Sequence, residues 1–139
     1  MSPMTKRQRK ELVRNAYDGW DDGDLDAFDE VYAEDVVHRV LDIDGRDELK
    51  SVVPVWFDAF PDLSHTVEAM VAEDEWVCTR FEIAGTHKGE FQGIEPTGAT
   101  FELLGLAMER VEDGQIVERW VVEDQFDLLQ QLGAVEGMG

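Results

Sequence analysis

The residue best placed for chemistry in this chain is a carboxylate at the end of an apolar strand. Asp124 closes the run from Gln115 through Trp120 and Val122, which follows a strand-like stretch, Thr100 to Glu112, across Asp113-Gly114. That junction admits two registers. A two-residue turn pairs Glu112 with Gln115, and a three-residue turn with a glycine bulge pairs Val111 with Gln115. The second gathers Leu104, Leu106, Met108 and Arg110 on one face with Ile116, Glu118, Trp120, Val122 and Asp124. It leaves the more polar set Gly105, Ala107, Glu109, Val117, Arg119, Val121 and Glu123 opposite. A one-residue slip would mix the two sets, so the bulged register is expected. Phe101 and Leu103 fall out of its phase, and a second bulge near Leu104-Gly105 would accommodate them.

On an apolar face the carboxyl of Asp124 is desolvated. Desolvation raises a carboxyl from about 4 toward the working range of a general acid/base. The competing role is structural, because Asp124 precedes Gln125-Phe126-Asp127-Leu128, where a helix N-cap would sit. Arg110 and Glu118 are expected to pair with each other. In this register Trp120, Leu106, Met108 and Val122 become walls of a ligand pocket, joined by His38, which alternates with Val36 and Val40, and by Phe60. Leu104, Leu106 and Met108 make that pocket apolar, which favours a small hydrophobic ligand. His87 is in phase with Val77, Thr79, Phe81 and Ile83 and is a second catalytic candidate; its structural alternative is to cap the Lys88-Gly89 turn. His65 is expected at the surface. Cys78, the single cysteine, reads as a packed hydrophobe rather than a reactive thiol. The three histidines have no metal-ligand spacing, and there is no phosphate-loop Lys-Ser/Thr ending and no G-x-S-x-G elbow. No metal and no cofactor are expected.

The elements that would position these groups follow from periodicity. Leu12, Val13, Ala16, Tyr17 and Trp20 mark one face of a helix from Thr5 to about Asp21, stopped at Gly23. Asp24 caps a second helix striped by Leu25, Phe28, Val31 and Tyr32. Asp35 to Leu41 reads as a strand. Gly45 to Phe60 reads as a third helix that starts late, kinks or breaks at Pro54. Strands at Leu63–Ala72, Glu75–His87, Thr100–Glu112 and Gln115–Asp124 follow, then a short helix around Phe126–Leu132 and a Gly-rich end. Helices first and long strands afterwards define an α+β fold, a curved antiparallel sheet over three N-terminal helices with a hollow on its concave side. The 139 residues suit one domain, 1–139.

The stretches Gly85-Thr-His-Lys-Gly-Glu-Phe-Gln-Gly-Ile-Glu-Pro-Thr-Gly98, Arg110 to Asp124, Gln131-Leu-Gly133 and Phe60-Pro-Asp62 together resemble the SnoaL-like polyketide cyclase (ester cyclase) family, over nearly the whole chain. The resemblance implies the α+β cone shared with nuclear transport factor 2, scytalone dehydratase and ketosteroid isomerase. It also implies a cofactor-free intramolecular aldol condensation on a polyketide-like substrate, with the acid/base at the position of Asp124. His87 stands in the family's GTHxGxxxG stretch and would donate a hydrogen bond to a substrate carbonyl. A binding module for a small hydrophobic molecule and a module that dimerises through the outer face of its sheet are the non-enzymatic alternatives, and a homodimer is expected.

Thirty-two acidic against twelve basic residues give a net charge of −20. Nucleic acid and anionic membrane surfaces are therefore unsuitable partners, since both need basic patches. No run of about 18 apolar residues is present, and the basic start is not followed by an apolar signal region, so a cytoplasmic location is expected. The acidic residues are spread over every segment, and only four lysines occur. This pattern points to a halophilic protein, because charge repulsion reaches only about 3 Å at 1 M salt. The thermal midpoint is expected to rise between dilute buffer and molar KCl. A differential scanning fluorimetry series with a flat midpoint would remove this reading.

Overall fold

The computed structural model describes residues 4–135. Local chemistry sets the helices. Thr5 accepts from Gln8 N while the Gln8 side chain accepts from Thr5 N, a capping box that starts α1 (Lys6–Asp22), and Gly23 ends it in the left-handed region at φ 62°. Asp24 caps α2 (Leu25–Val31) through Asp26 N and Ala27 N. After β1 (Tyr32–His38) and a two-residue β2 (Ile43–Asp44), α3 (Arg46–Ala59) runs through Pro54 as one element. The structure thus departs from the expected late start or break.

The rest of the chain is β3 (Ser64–Glu73), β4 (Trp76–Thr86), β5 (Thr100–Glu112), β6 (Gln115–Glu123) and α4 (Gln125–Gln131). The expected Gly-rich end from Gly137 onward lies outside the described residues. Six strands form one curved sheet in the order β2-β1-β6-β5-β4-β3. It is antiparallel except where β1 runs parallel to β6. The α+β class and the sheet over helices agree with the sequence reading. No helix among the described residues is long and apolar enough to cross a membrane.

The hairpin β5–β6 settles the register. Asp113 (φ 51°) and Gly114 (φ 79°) form a two-residue turn with positive φ at both positions, and Glu112 pairs with Gln115. Val111 then pairs with Ile116, but Arg110 pairs with Glu118, so Val117 is the extra residue of a bulge one step beyond the turn. The expected three-residue turn is therefore replaced by a tight turn plus a bulge. Leu104, Leu106, Met108, Glu118, Trp120 and Val122 do share a face, as the pattern implied, but Ile116 belongs to the other. The face packed under the helices is the opposite one, with Phe101, Leu103, Gly105, Ala107 and Glu109 on β5 and Arg119 and Val121 on β6. Phe101 and Leu103 are in phase with it, and no second bulge is present.

The core joins this face to Val77, Phe81 and Ile83 of β4 and to Val13, Phe28, Leu49 and Val53 of the helices. Two close approaches fix it. A Cβ on Gly105 would lie 2.3 Å from the Phe81 ring, and one on Gly89 would lie 2.0 Å from the Asp58 carbonyl oxygen. The second contact seats the loop after β4 on the end of α3, where Lys88 N and Gly89 N both donate to Ala59 O.

Candidate functional site

A cavity of about 660 Å³ lies between α1, α3 and the sheet. α1 brings Tyr17 and Trp20, and α3 brings Leu49, Val52, Val55 and Trp56. The loop after β4 brings Phe91 and Gln92. From the sheet come His38, His65, Phe81, Ile83, Arg119, Val121 and Glu123. Most of this lining is apolar, so each charged group in it is placed against a desolvation cost.

Three polar arrangements stand out. Arg119 Nε donates to Glu109 Oε2 at 3.1 Å with both side chains buried. Its guanidinium carbon lies 5.7 Å from the Trp20 ring centroid and 5.4 Å from that of Tyr32. Burial works against the Arg119 charge, but Tyr32 and Glu109 outweigh it and hold the guanidinium above its ordinary value. Burial pushes the Glu109 carboxyl up, and Arg119 opposes it. Second, Asp21 clasps His65. The backbone N of His65 donates to both carboxylate oxygens at 2.9 Å, and ring Nδ1 lies 2.6 Å from Asp21 Oδ1. A carboxylate only accepts, so Nδ1 donates to it, and in the neutral imidazole Nε2 is left as an acceptor. Third, Glu123 lines the cavity with its carboxyl pushed up by burial, against the opposing effects of His65 and Arg119. Tyr17 Oη and Glu109 Oε1 are buried without a hydrogen-bond partner. Burial, then Glu109, raise the Tyr17 hydroxyl.

The residues singled out from sequence are distributed differently. Asp124 is exposed and lies one residue past β6, where it accepts from Asp127 N at 3.1 Å as the N-cap of α4. This is the structural role weighed against catalysis, and it follows from strand alternation: with Arg119, Val121 and Glu123 inward, the carboxylate turned to the cavity is Glu123. Trp120, Leu106 and Met108 are on the outer face of the sheet, not in the cavity. Val122 is 61% exposed and borders both the cavity mouth and the outer groove. Phe60 is fully buried in the core against Phe91, Phe101 and Trp56, and does not line the cavity.

His87 is fully buried beneath the loop after β4. Its Nδ1 accepts from Thr97 N and its ring packs on Phe60, so it organises the loop. His38 does line the cavity, as expected. His65, expected at the surface, is a cavity residue. The Arg110–Glu118 pair forms as expected, at 3.2 Å. Cys78 is half-buried on the outer face. Among the described residues no cluster of three or more His, Cys, Asp or Glu side chains could hold a metal ion.

The missed residues had one visible signal. Glu109, Arg119 and Glu123 fall in phase across the hairpin with charges of both signs, which lets Glu109 and Arg119 pair across the strands.

The comparisons with known proteins agree with this architecture. The family model for SnoaL-like polyketide cyclase matches residues 10–132. The chain belongs to the SnoaL-like polyketide cyclase family. Among solved structures, IdmH from Streptomyces antibioticus, a proposed polyketide cyclase, is 34% identical with a TM-score of 0.81, over 91% of this chain and 99% of that one. AclR from Streptomyces galilaeus, a proposed hydroxylase, is 29% identical with a TM-score of 0.86, over 97% and 87%. TsrD from Streptomyces laurentii, at 22% identity and a TM-score of 0.88 over 96% and 100%, shares the fold. No curated protein is matched.

Substitutions at the two neighbouring carboxylates separate cap from cavity. Asp124→Ala should cost about 1 kcal/mol of unfolding free energy in urea, and Asp124→Asn almost nothing, because Asn caps as well as Asp. Glu123→Gln should stabilise the protein at neutral pH. A carboxyl whose folded value is raised favours folding at low pH and loses that contribution as pH rises through the folded value. The gain in melting temperature should therefore be absent below about pH 4.3 and open above it.

Proposed function

We propose that the cavity performs cofactor-free acid/base catalysis on an apolar, carbonyl-rich substrate, an aldol-type ring closure or a related isomerisation, with Glu123 as the group that moves the proton. The observation that carries this reading is a carboxyl pushed up by burial in a mostly apolar cavity that also holds a histidine oriented by Asp21. Desolvation brings such a carboxyl closer to the pKa of a carbon flanked by two carbonyls, and so makes it a better base for that carbon. Glu123 takes the C–H proton, and the electron pair moves into the adjacent carbonyl as an enolate. The enolate carbon attacks a second carbonyl of the same molecule, forming the new C–C bond, and the resulting alkoxide takes the proton back from Glu123. Confinement in a cavity of about 660 Å³ brings the two carbons together. IdmH supports the reading through its description as a proposed polyketide cyclase. Binding of the same apolar ligand without turnover is the alternative.

A homodimer formed through the outer sheet face is part of the same reading. Leu104, Leu106 and Trp120 are each about half exposed, and with Met70, Val71, Cys78, Met108 and Val122 they form an apolar surface with a groove of about 460 Å³. Soluble monomers rarely expose a continuous apolar patch of this kind.

Hydrogen–deuterium exchange at C2 of methyl 3-oxo-3-phenylpropanoate, followed by NMR in D2O, tests the chemistry. The protein should accelerate exchange over buffer, and Glu123→Gln should lose about 100-fold or more of that acceleration. An unchanged rate in Glu123→Gln would sink the assignment. Sedimentation in molar KCl, where repulsion between acidic copies is screened, tests the pairing. The wild type should run as a dimer and Trp120→Asp as a monomer, whereas a monomeric wild type at about 50 μM, within the range where a specific interface holds, removes it.

A further inference from the structure

His38 is the last residue of β1, paired with Arg119 of the parallel neighbour β6, and it lines the cavity while only 4% exposed. The chain turns back immediately after it. In that turn Leu41 N donates to His38 Nδ1 at 3.2 Å. A ring nitrogen that accepts a backbone N–H carries no proton, so in the neutral imidazole the proton sits on Nε2. Among the described residues Nε2 has no hydrogen-bond partner, and it is not among the sealed, unpartnered polar atoms. The cavity therefore meets a single N–H that cannot reverse its role without breaking the turn.

We propose that His38 is a fixed, uncharged hydrogen-bond donor that recognises a ligand carbonyl oxygen at the Arg119 end of the cavity, remote from Glu123. The inference rests on the proposed carbonyl chemistry and adds the orientation of the ligand. Arg119 and Glu123 stand four residues apart on one face of β6, which separates their Cα atoms by about 13 Å. The ligand is thus an elongated molecule with an acceptor oxygen at one end and its reacting carbon near the other. His38 Nε2 and the Arg119 guanidinium both donate, so a carbonyl oxygen in that place is matched directly. The ring stays neutral because burial, then the Arg119 charge, lower it to about 4. Arg119 is the charge that faces it from β6, and the α3 lining, Leu49, Val52, Val55 and Trp56, brings none.

The test uses prodan, an elongated naphthalene with a propionyl carbonyl at one end, whose emission shifts to the red when that carbonyl accepts a hydrogen bond. Wild type should bind it saturably. His38→Phe should weaken binding about fivefold to tenfold and shift the bound emission to the blue, while His38→Gln, which keeps an N–H donor, should restore both. Nitrogen-15 NMR of the wild-type imidazole needs no variant, and it should find the proton on Nε2 alone between pH 6 and 8. A charged or Nδ1-protonated ring, no saturable binding, or equal affinity and emission in His38→Phe overturns the proposal. None of these readouts requires turnover, so loss of the Glu123 chemistry leaves the His38 result intact, and the converse also holds.

Discussion

The buried pair of Glu109 and Arg119 is the constraint on which the rest of the structure depends. Two charges taken out of water cost several kcal/mol each, and removing one leaves the other stranded. The pair is therefore tolerated only where the geometry is complete. Here a 3.1 Å hydrogen bond joins neighbouring strands beneath the rings of Trp20 and Tyr32, and Trp20 Nε1 donates to Tyr32 Oη at 3.0 Å. That arrangement ties α1 and β1 to the β5–β6 hairpin. It also fixes which side of the hairpin is interior, because neither charged partner can turn outward without exposing the other.

Once Arg119 is inward, strand alternation places Val121 and Glu123 inward as well. Glu123 then lines the same cavity as His65, which Asp21 holds by its backbone and its ring together. The cap at Asp124 ends β6 one residue later and turns the chain into α4. Two adjacent carboxylates thus have opposite environments: Glu123 is desolvated, while Asp124 is hydrated and bonded to a backbone N–H. Burial accordingly pushes the Glu123 carboxyl up.

The sequence made the elements legible wherever local chemistry determined them. Thr5 and Gln8, Gly23 and Asp24 mark helix ends by their own side chains or lack of one. Val77, Thr79, Phe81 and Ile83 mark the buried face of β4 by alternation. What was misread was the side of the β5–β6 hairpin that faces in. Leu106, Met108, Trp120 and Val122 form the more apolar row, and apolar rows usually point to the core. The bulge at Val117 shifted Ile116 out of that row and hid the turn type. His65 depended on a partner, Asp21, 44 residues away, which periodicity cannot register. Pro54 lies in α3 without ending it, because tertiary packing outweighs the one backbone hydrogen bond it removes.

The alternation along β6 also divides the labour of evolution. Residues 119, 121 and 123 face the cavity and 118 and 120 face outward, with only Val122 bordering both the cavity mouth and the outer groove. Point substitutions can retune either surface while leaving the other untouched, so ligand preference and self-association are free to drift separately. A one-residue insertion or deletion between Val117 and Arg119 has no such freedom. It exchanges the two surfaces at a stroke, carrying Trp120 into the interior and Arg119 out to solvent. The hairpin length is therefore expected to stay constant among descendants of this chain even as both of its faces diverge.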